Sequence, residues 1–154
     1  MKAFLAAFLM IAVLSMGAPY FFIGLDIYGH IFPFVGIGTK AGDGFFNFSL
    51  GTTYAEGAWA LMTKAEYYWT YSGFEYGLAF STIAAFPQEG EVSGASIDPE
   101  NFLFLAGGKL GYVINVMGFD LDFGANFYVT LPFGATNELS GPIPFLWLSM
   151  GQRK

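Results

Sequence analysis

The stretch FDLDFGANFYVTLPFG, residues 119–134, decides the fold. Its odd positions are aromatic or aliphatic, whereas Asp120, Asp122 and Asn126 occupy even positions. Successive side chains of a β-strand point to opposite faces of the sheet, so a period of two predicts a strand with one apolar face and one polar face. The question is what each of these two faces contacts.

The composition of the chain is unusual for a soluble protein. Of its 154 residues, 55% are hydrophobic, 20% are aromatic and 12% are charged, whereas an ordinary globular domain has about 25% charged residues. A helical membrane protein needs roughly 20 consecutive apolar residues per span, and only residues 3–14 come near that length. The formal net charge of −6 disfavours nucleic acid as a partner. The absence of cysteine excludes disulfide bonds and a cysteine-linked lipid anchor.

The first residues have the pattern of a secretory signal peptide. Lys2 supplies the positive start, residues 3–14 form the apolar segment, and Ser15 and Gly17 are the small residues near a cleavage point. An N-terminal membrane anchor is the alternative, but the apolar run is short and nothing basic follows it. We therefore predict a signal peptide over residues 1–17 and a single mature domain over residues 18–154.

The rest of the chain divides into eight segments with strand-like alternation. Each is about as long as a tilted transmembrane strand, which needs roughly 9–11 residues. The predicted strands are Tyr20–Gly29, Phe32–Lys40, Phe45–Ala55, Ala58–Tyr71, Phe74–Phe86, Phe102–Val116, Phe119–Phe133 and Ile143–Met150.

The connections indicate an up-and-down order of hairpins. Alternate connections are tight and rich in glycine, as at Ser72–Gly73 and Met117–Gly118, and both long polar loops, residues 87–101 and 134–141, lie at the opposite end. Two-residue turns fix which residues pair across a hairpin. Paired residues must lie on the same face of the sheet, so the pairs can be checked for consistent polarity. The predicted pairs keep polar or small residues together: Lys64 with Ser81, Lys109 with Asn126, Asn115 with Asp120, Asn47 with Glu66 and Gly38 with Asn47.

These segments and turns resemble the small eight-stranded outer-membrane barrels of bacteria, such as the outer membrane protein A barrel and the outer membrane protein X, opacity and outer membrane protein W groups. The resemblance implies an all-β, antiparallel, up-and-down transmembrane barrel in the bacterial outer membrane. It also implies contact with outer-membrane lipid and lipopolysaccharide, insertion by the outer-membrane assembly machinery, and a monomeric state. One departure is that such barrels commonly end with an aromatic residue, whereas the last aromatic residue here is Trp147.

In such a barrel the polar face points inward and the phenylalanines face lipid. We expect the inward charges to form a network of ion pairs in which Lys64 and Lys109 meet several carboxylates, since buried charges persist only when paired or solvated. A structural or surface-interaction role with a plugged interior follows. A narrow pore for small cations or small hydrophobic molecules is the alternative, because inward carboxylates outnumber inward lysines. The predicted interior polar network is Asp26, Lys64, Glu66, Glu75, Lys109, Asn115, Asp120, Asp122 and Asn126.

Aromatic residues collect near both predicted ends of the barrel, where membrane interfaces favour them. Aromatic packing in a soluble β-sandwich is the alternative, but a sandwich requires neither a signal peptide nor two belts. The predicted belts contain Tyr54, Trp59, Tyr67, Trp69, Tyr71, Phe74 and Tyr76.

The long loop of residues 87–101 is acidic, and we expect it to be a solvated extracellular surface for recognition. Its carboxylates lack the regular spacing of a calcium site, and one histidine without cysteine gives no transition-metal site, so no cofactor is expected. A lipid A-modifying barrel enzyme would use His30 with Ser93, Ser96 or Asp98, but no catalytic spacing is present, and we do not expect an enzyme. The acidic residues of this loop are Glu89, Glu91, Asp98 and Glu100.

Overall fold

A closed barrel of eight antiparallel strands, each paired with its neighbours in chain order, forms the protein. The computed structural model describes residues 17–55, 58–87, 102–131 and 142–153, with Ala55 and Pro87 described by their backbones only. Most of the predicted signal peptide lies outside these residues. The strands are β1 (Tyr20–Tyr28), β2 (His30–Ala41), β3 (Gly44–Ala55), β4 (Ala58–Tyr71), β5 (Phe74–Pro87), β6 (Phe102–Val116), β7 (Phe119–Thr130) and β8 (Ile143–Gly151).

The predicted register is confirmed at the turns. Lys64 pairs with Ser81, Lys109 with Asn126 and Asn115 with Asp120, Asn47 with Glu66, and Gly38 with Asn47. In the β4–β5 and β6–β7 turns both central residues have positive φ, with 50° at Ser72, 83° at Gly73, 55° at Met117 and 86° at Gly118. Two consecutive positive φ angles define the primed hairpin turn, whose twist matches that of the flanking strands.

The strand boundaries differ from the prediction by more than one residue at two connections. Gly29 alone, with a φ of 63°, joins β1 to β2, so His30 begins β2 and pairs with Tyr28. β7 ends at Thr130 rather than at Phe133, although the Leu131 amide still donates to the Phe104 carbonyl at 2.8 Å. The next residue in the sequence, Pro132, has no N–H with which to continue the ladder.

The ladder that closes the barrel is shorter than the others. β1 and β8 pair only between Phe22 with Gly151 and Ile27 with Leu146, whereas β4 and β5 pair along their whole length. We call the end with the turns at residues 42–43, 72–73 and 117–118 the tight-turn end, and the opposite end the loop end. Among residues 17–55, 58–87, 102–131 and 142–153, no helix is long and apolar enough to span a membrane.

The two faces of β7 answer the question raised by its sequence. Phe119, Phe123 and Phe127 are exposed on the outer wall, while Asp122 and Asn126 are buried in the interior. The same alternation holds around the barrel, so the outer wall is mainly apolar, and most charged side chains of the strands are buried inside. This arrangement is the inverse of a soluble protein.

The interior is narrow and filled by side chains, as expected for eight strands. An apolar cluster centred on Phe32, Met62, Leu105 and Phe145 lies towards the loop end. Gly111 and Gly124 pair with each other on β6 and β7, and a Cβ added at either glycine would meet the Trp147 ring of β8. The glycines therefore make room for this large side chain.

Candidate functional site

The buried charges of the interior form the candidate site, and their first element is an ion pair between β4 and β1. The Lys64 ammonium donates to both carboxylate oxygens of Asp26, at 2.8 and 2.7 Å, and lies 4.6 Å from the centre of the Phe34 ring. β1 and β4 are not neighbours in the sheet, so this pair reaches across the barrel. Both side chains are buried, which strengthens the Coulomb attraction between them.

A second group surrounds Glu66 on β4. Its carboxylate accepts from the Lys109 ammonium at 3.2 Å and from the Asn126 amide at 2.9 Å, and it lies 3.7 Å from the Lys64 ammonium. Lys109 also lies 3.5 Å from Glu75. Glu66 therefore links the two lysines into one continuous network.

Aromatic rings enclose the Lys109 ammonium. The Tyr68 ring centre lies 4.4 Å away and the Trp147 ring centre 3.8 Å away. Ring faces attract cations, and the attraction is stronger where water is excluded. Part of the desolvation cost of Lys109 is thus offset by these two rings.

Arg153, which follows β8, fills the interior at the tight-turn end. Its guanidinium bridges two carboxylates, with Nη1 2.5 Å from Glu75 and Nη2 hydrogen-bonded to Asp122. Its backbone N–H donates to Asp120 at 3.2 Å. Although burial lowers the pKa of the guanidinium, the nearby carboxylates of Glu75 and Asp122 raise it above its ordinary value. Arg153 therefore stays charged at neutral pH.

Three rings surround the same guanidinium. Its central carbon lies 5.9, 5.4 and 5.3 Å from the ring centres of Tyr20, Phe45 and Tyr68. Tyr20 and Tyr68 are held in place by Asn47, whose side-chain oxygen accepts from the Tyr20 hydroxyl at 2.6 Å and whose amide donates to the Tyr68 hydroxyl at 3.2 Å.

Carboxylates exceed basic groups in this interior. Within the described part of the chain, the buried network holds Lys64, Lys109 and Arg153 against a larger set of acidic side chains. Asp122 Oδ1 is buried and has no hydrogen-bond partner among the described residues, and Glu75 Oε2 has only its 3.5 Å ion pair with Lys109. The network can therefore accept further donors at the tight-turn end. The acidic side chains are Asp26, Glu66, Glu75 and Asp122.

Most residues of the predicted polar network are brought together, but two lie apart from the lysines. Asn115 is exposed beside the β6–β7 turn, where its amide donates to Asp120 at 2.9 Å and its oxygen accepts from the Gly118 amide at 3.3 Å. Asp120 thus contacts Asn115 and Arg153 rather than Lys64 or Lys109. Asp120 lies two residues closer to the tight-turn end of β7 than Asp122 does, which explains why it contacts a different set of residues.

The predicted aromatic belts lie on the outer wall. Near the tight-turn end, the ring centres of Tyr67 and Trp69 are 5.0 Å apart, and Tyr76 stacks on Trp69 at 5.8 Å and on Phe74 at 6.3 Å. Tyr71 beside them is strongly exposed. Towards the loop end, Tyr54 and Trp59 are paired across β3 and β4 at 5.2 Å.

Of the residues considered for a catalytic site or for the extracellular loop, the structure describes only His30. His30 is exposed at the start of β2. Ser93 and Ser96 lie outside the described residues, as does the acidic loop containing Glu89, Glu91, Asp98 and Glu100. The described residues contain no group of His, Cys, Asp and Glu side chains arranged to hold a metal ion.

Sequence reasoning missed Arg153 and the inward position of Trp147. The unequal number of inward carboxylates and lysines was the available signal for a third basic group.

Comparisons with protein-family models, curated proteins and solved structures found no match.

Proposed function

We propose that the protein is an integral barrel of the bacterial outer membrane, with a plugged interior and a structural or surface-interaction role. One observation carries the proposal, the reversal of polarity between the wall and the interior. Phe21 is 76% exposed, Leu146 56% and Phe80 54%, while Glu75 and Asn126 are 0% exposed. An apolar wall of this extent is unfavourable in water and favourable against lipid tails.

The closed sheet and the aromatic residues are consistent with this environment. A closed barrel leaves no strand edge without hydrogen bonds, which lipid could not supply. The rings of Tyr54 and Trp59 lie towards one end, and those of Trp69 and Tyr76 lie near the other. Tyr and Trp are favoured where lipid meets water, so these pairs mark the two interfaces.

The expected partners follow from the location. The wall contacts outer-membrane lipid and lipopolysaccharide, and the assembly machinery of that membrane inserts the exported chain. We propose the predicted acidic loop of residues 87–101 as the segment for surface interaction, because loops carried by a rigid scaffold commonly serve in binding. The interior ion pairs stabilise the barrel and block passage rather than perform chemistry.

Membrane location is tested by fractionating bacteria that express the full chain. We expect the protein in the outer-membrane fraction, and we expect the extracted barrel to migrate differently in a detergent gel before and after heating. A chain that stays monomeric in buffer without detergent contradicts the proposal.

A pair of matched substitutions tests which surface contacts lipid. Phe80 lies near the middle of β5 and Tyr71 at the tight-turn end of β4, and both are exposed on the wall. In a bilayer, Phe80→Lys should lower the free energy of unfolding by about 2–4 kcal/mol and Tyr71→Lys by no more than about 1 kcal/mol, because the cost of a charge falls towards the interface. In a water-soluble barrel the two lysines would have equally small effects.

A further inference from the structure

The side chains around the Arg153 guanidinium come from five of the eight strands of the barrel. Glu75 lies on β5 and Asp122 on β7, and the three rings lie on β1, β3 and β4. All of them meet one planar cation, through two carboxylates and three aromatic faces. We call the five side chains Tyr20, Phe45, Tyr68, Glu75 and Asp122 the guanidinium cage.

We propose that the guanidinium cage is a binding site for small organic cations carrying a guanidinium group, and that Arg153 occupies it as an internal ligand. Carboxylates that accept from separate guanidinium nitrogens suit the planar fork of donors in this group. Aromatic faces add attraction for a desolvated cation. The cage recognises the charge and the planar donors of the guanidinium group and makes no use of the rest of the ligand.

The connection of Arg153 to the barrel makes it the exchangeable cation of the interior. Lys64 and Lys109 lie within strands and cannot leave without breaking the β-ladders, whereas Arg153 follows β8, which ends at Gly151. The backbone N–H of Arg153 donates a hydrogen bond to the Asp120 side chain rather than to a neighbouring strand. Movement of Arg153 out of the cage therefore breaks no strand pairing. The buried Asp122 Oδ1, without a hydrogen-bond partner among the described residues, offers capacity for a ligand with additional N–H groups.

An internal ligand competes with an external one through its effective concentration. A group tethered by a short flexible segment is present at an effective concentration of about millimolar or more. Free guanidinium compounds should therefore bind weakly to the wild-type protein and more strongly once Arg153 is truncated.

The test uses Arg153→Ala in the full chain, folded in detergent micelles, with ethylguanidinium as the probe. This molecule supplies the atoms that the substitution removes, and ethylurea is its neutral control of similar shape. Binding is measured by titration of the backbone amide resonances of Ser149 and Gly151 and by the midpoint of thermal unfolding, at constant ionic strength. We expect ethylguanidinium to shift both readouts for Arg153→Ala at concentrations at least about tenfold below those needed for the wild type. Ethylurea should shift neither.

A combined variant identifies the cage as the site. In Glu75→Gln/Asp122→Asn/Arg153→Ala both carboxylates of the cage are replaced by neutral amides, and the ethylguanidinium response should be lost. An equal response of this variant and Arg153→Ala overturns the proposal, as does an equal effect of ethylguanidinium and ethylurea.

The same probe covers the case in which Arg153→Ala does not fold alone. The variant is then refolded with ethylguanidinium or with ethylurea, and the yield of folded barrel is measured. Recovery with ethylguanidinium only supports the cage, and failure with both compounds contradicts it. The guanidinium cage lies in the barrel interior, so cation binding there does not depend on whether the wall contacts a membrane.

Discussion

At the scale of single residues, Lys64 and Asp26 show how the barrel tolerates charges away from water. Each would be costly to bury alone, by several kcal/mol after relaxation. The two hydrogen bonds of 2.8 and 2.7 Å and the Phe34 face replace the lost water. The pair is therefore stable only while both partners are present.

Removing one partner should lower the free energy of unfolding much more than removing the charges of both partners. We expect Lys64→Met to lower the free energy of unfolding by about 3–5 kcal/mol, because it leaves the Asp26 carboxylate buried and unpaired. The double variant Asp26→Asn/Lys64→Met should recover most of this loss. Denaturant unfolding of both variants in the same detergent provides the measurement, and a double variant as unstable as the single one would contradict the explanation.

Arg153 shows the limit of sequence reasoning at this scale. Strand periodicity assigned Asp122 to the interior correctly, because every second residue of a strand shares a face. Periodicity says nothing about a residue beyond the last strand, where the chain is free to turn inward. The partner of Asp122 was therefore predicted among Lys64 and Lys109, whereas the structure places Arg153 there.

At the scale of strands, adjacent glycines of β6 separate the tight interior from the open wall. A Cβ added at Gly107 would overlap the Phe127 carbonyl of β7, whereas one added at Gly108 has only the Gly77 carbonyl near it, at 3.8 Å. The two positions share one strand and nearly the same local propensity. They differ in the face that they occupy.

The two alanine substitutions should consequently have unequal effects. Gly107→Ala forces β6 and β7 apart and should destabilise the barrel by about 1–3 kcal/mol or more, the usual range for overpacking. Gly108→Ala should be neutral or slightly stabilising, because it reduces the freedom of the unfolded chain. Thermal unfolding of the two variants side by side tests this, and equal midpoints would refute the assignment of faces.

The strands themselves could be predicted to within a few residues, because the short turns predicted at residues 42–43, 56–57, 72–73 and 117–118 each fix a register independently. The inward face of β8 could not be assigned in this way. No two-residue turn joins it to β7, so nothing in the sequence stated whether Phe145 and Trp147 or Leu146 and Leu148 point inward. The structure resolves the choice through pairing of Asp122 with Ser149 and of Gly124 with Trp147.

At the scale of the whole molecule, successive layers of side chains cross the interior. Arg153 fills the tight-turn end, the two lysines and Glu66 follow, and the apolar cluster around Phe145 and Met62 lies towards the loop end. An ion entering this interior would have to displace paired charges and then pass apolar side chains. Both steps are costly for a cation.

We therefore expect the purified protein to produce no unitary conductance steps in planar lipid bilayers under an applied voltage. The matched comparison is Glu66→Gln, which removes the carboxylate that joins the lysines. Resolved steps in the wild type whose cation preference falls in Glu66→Gln would instead support the narrow pore.

The short ladder between β1 and β8 has a consequence for how the protein folds. These are the first and last strands of the barrel, so their pairing closes the longest chain loop in the molecule, and such contacts form slowly. Until they meet, β1 and β8 each present unpaired backbone groups that another chain could use. We expect the lifetime of this open form, more than the stability of the closed one, to decide how much of the protein is lost to aggregation.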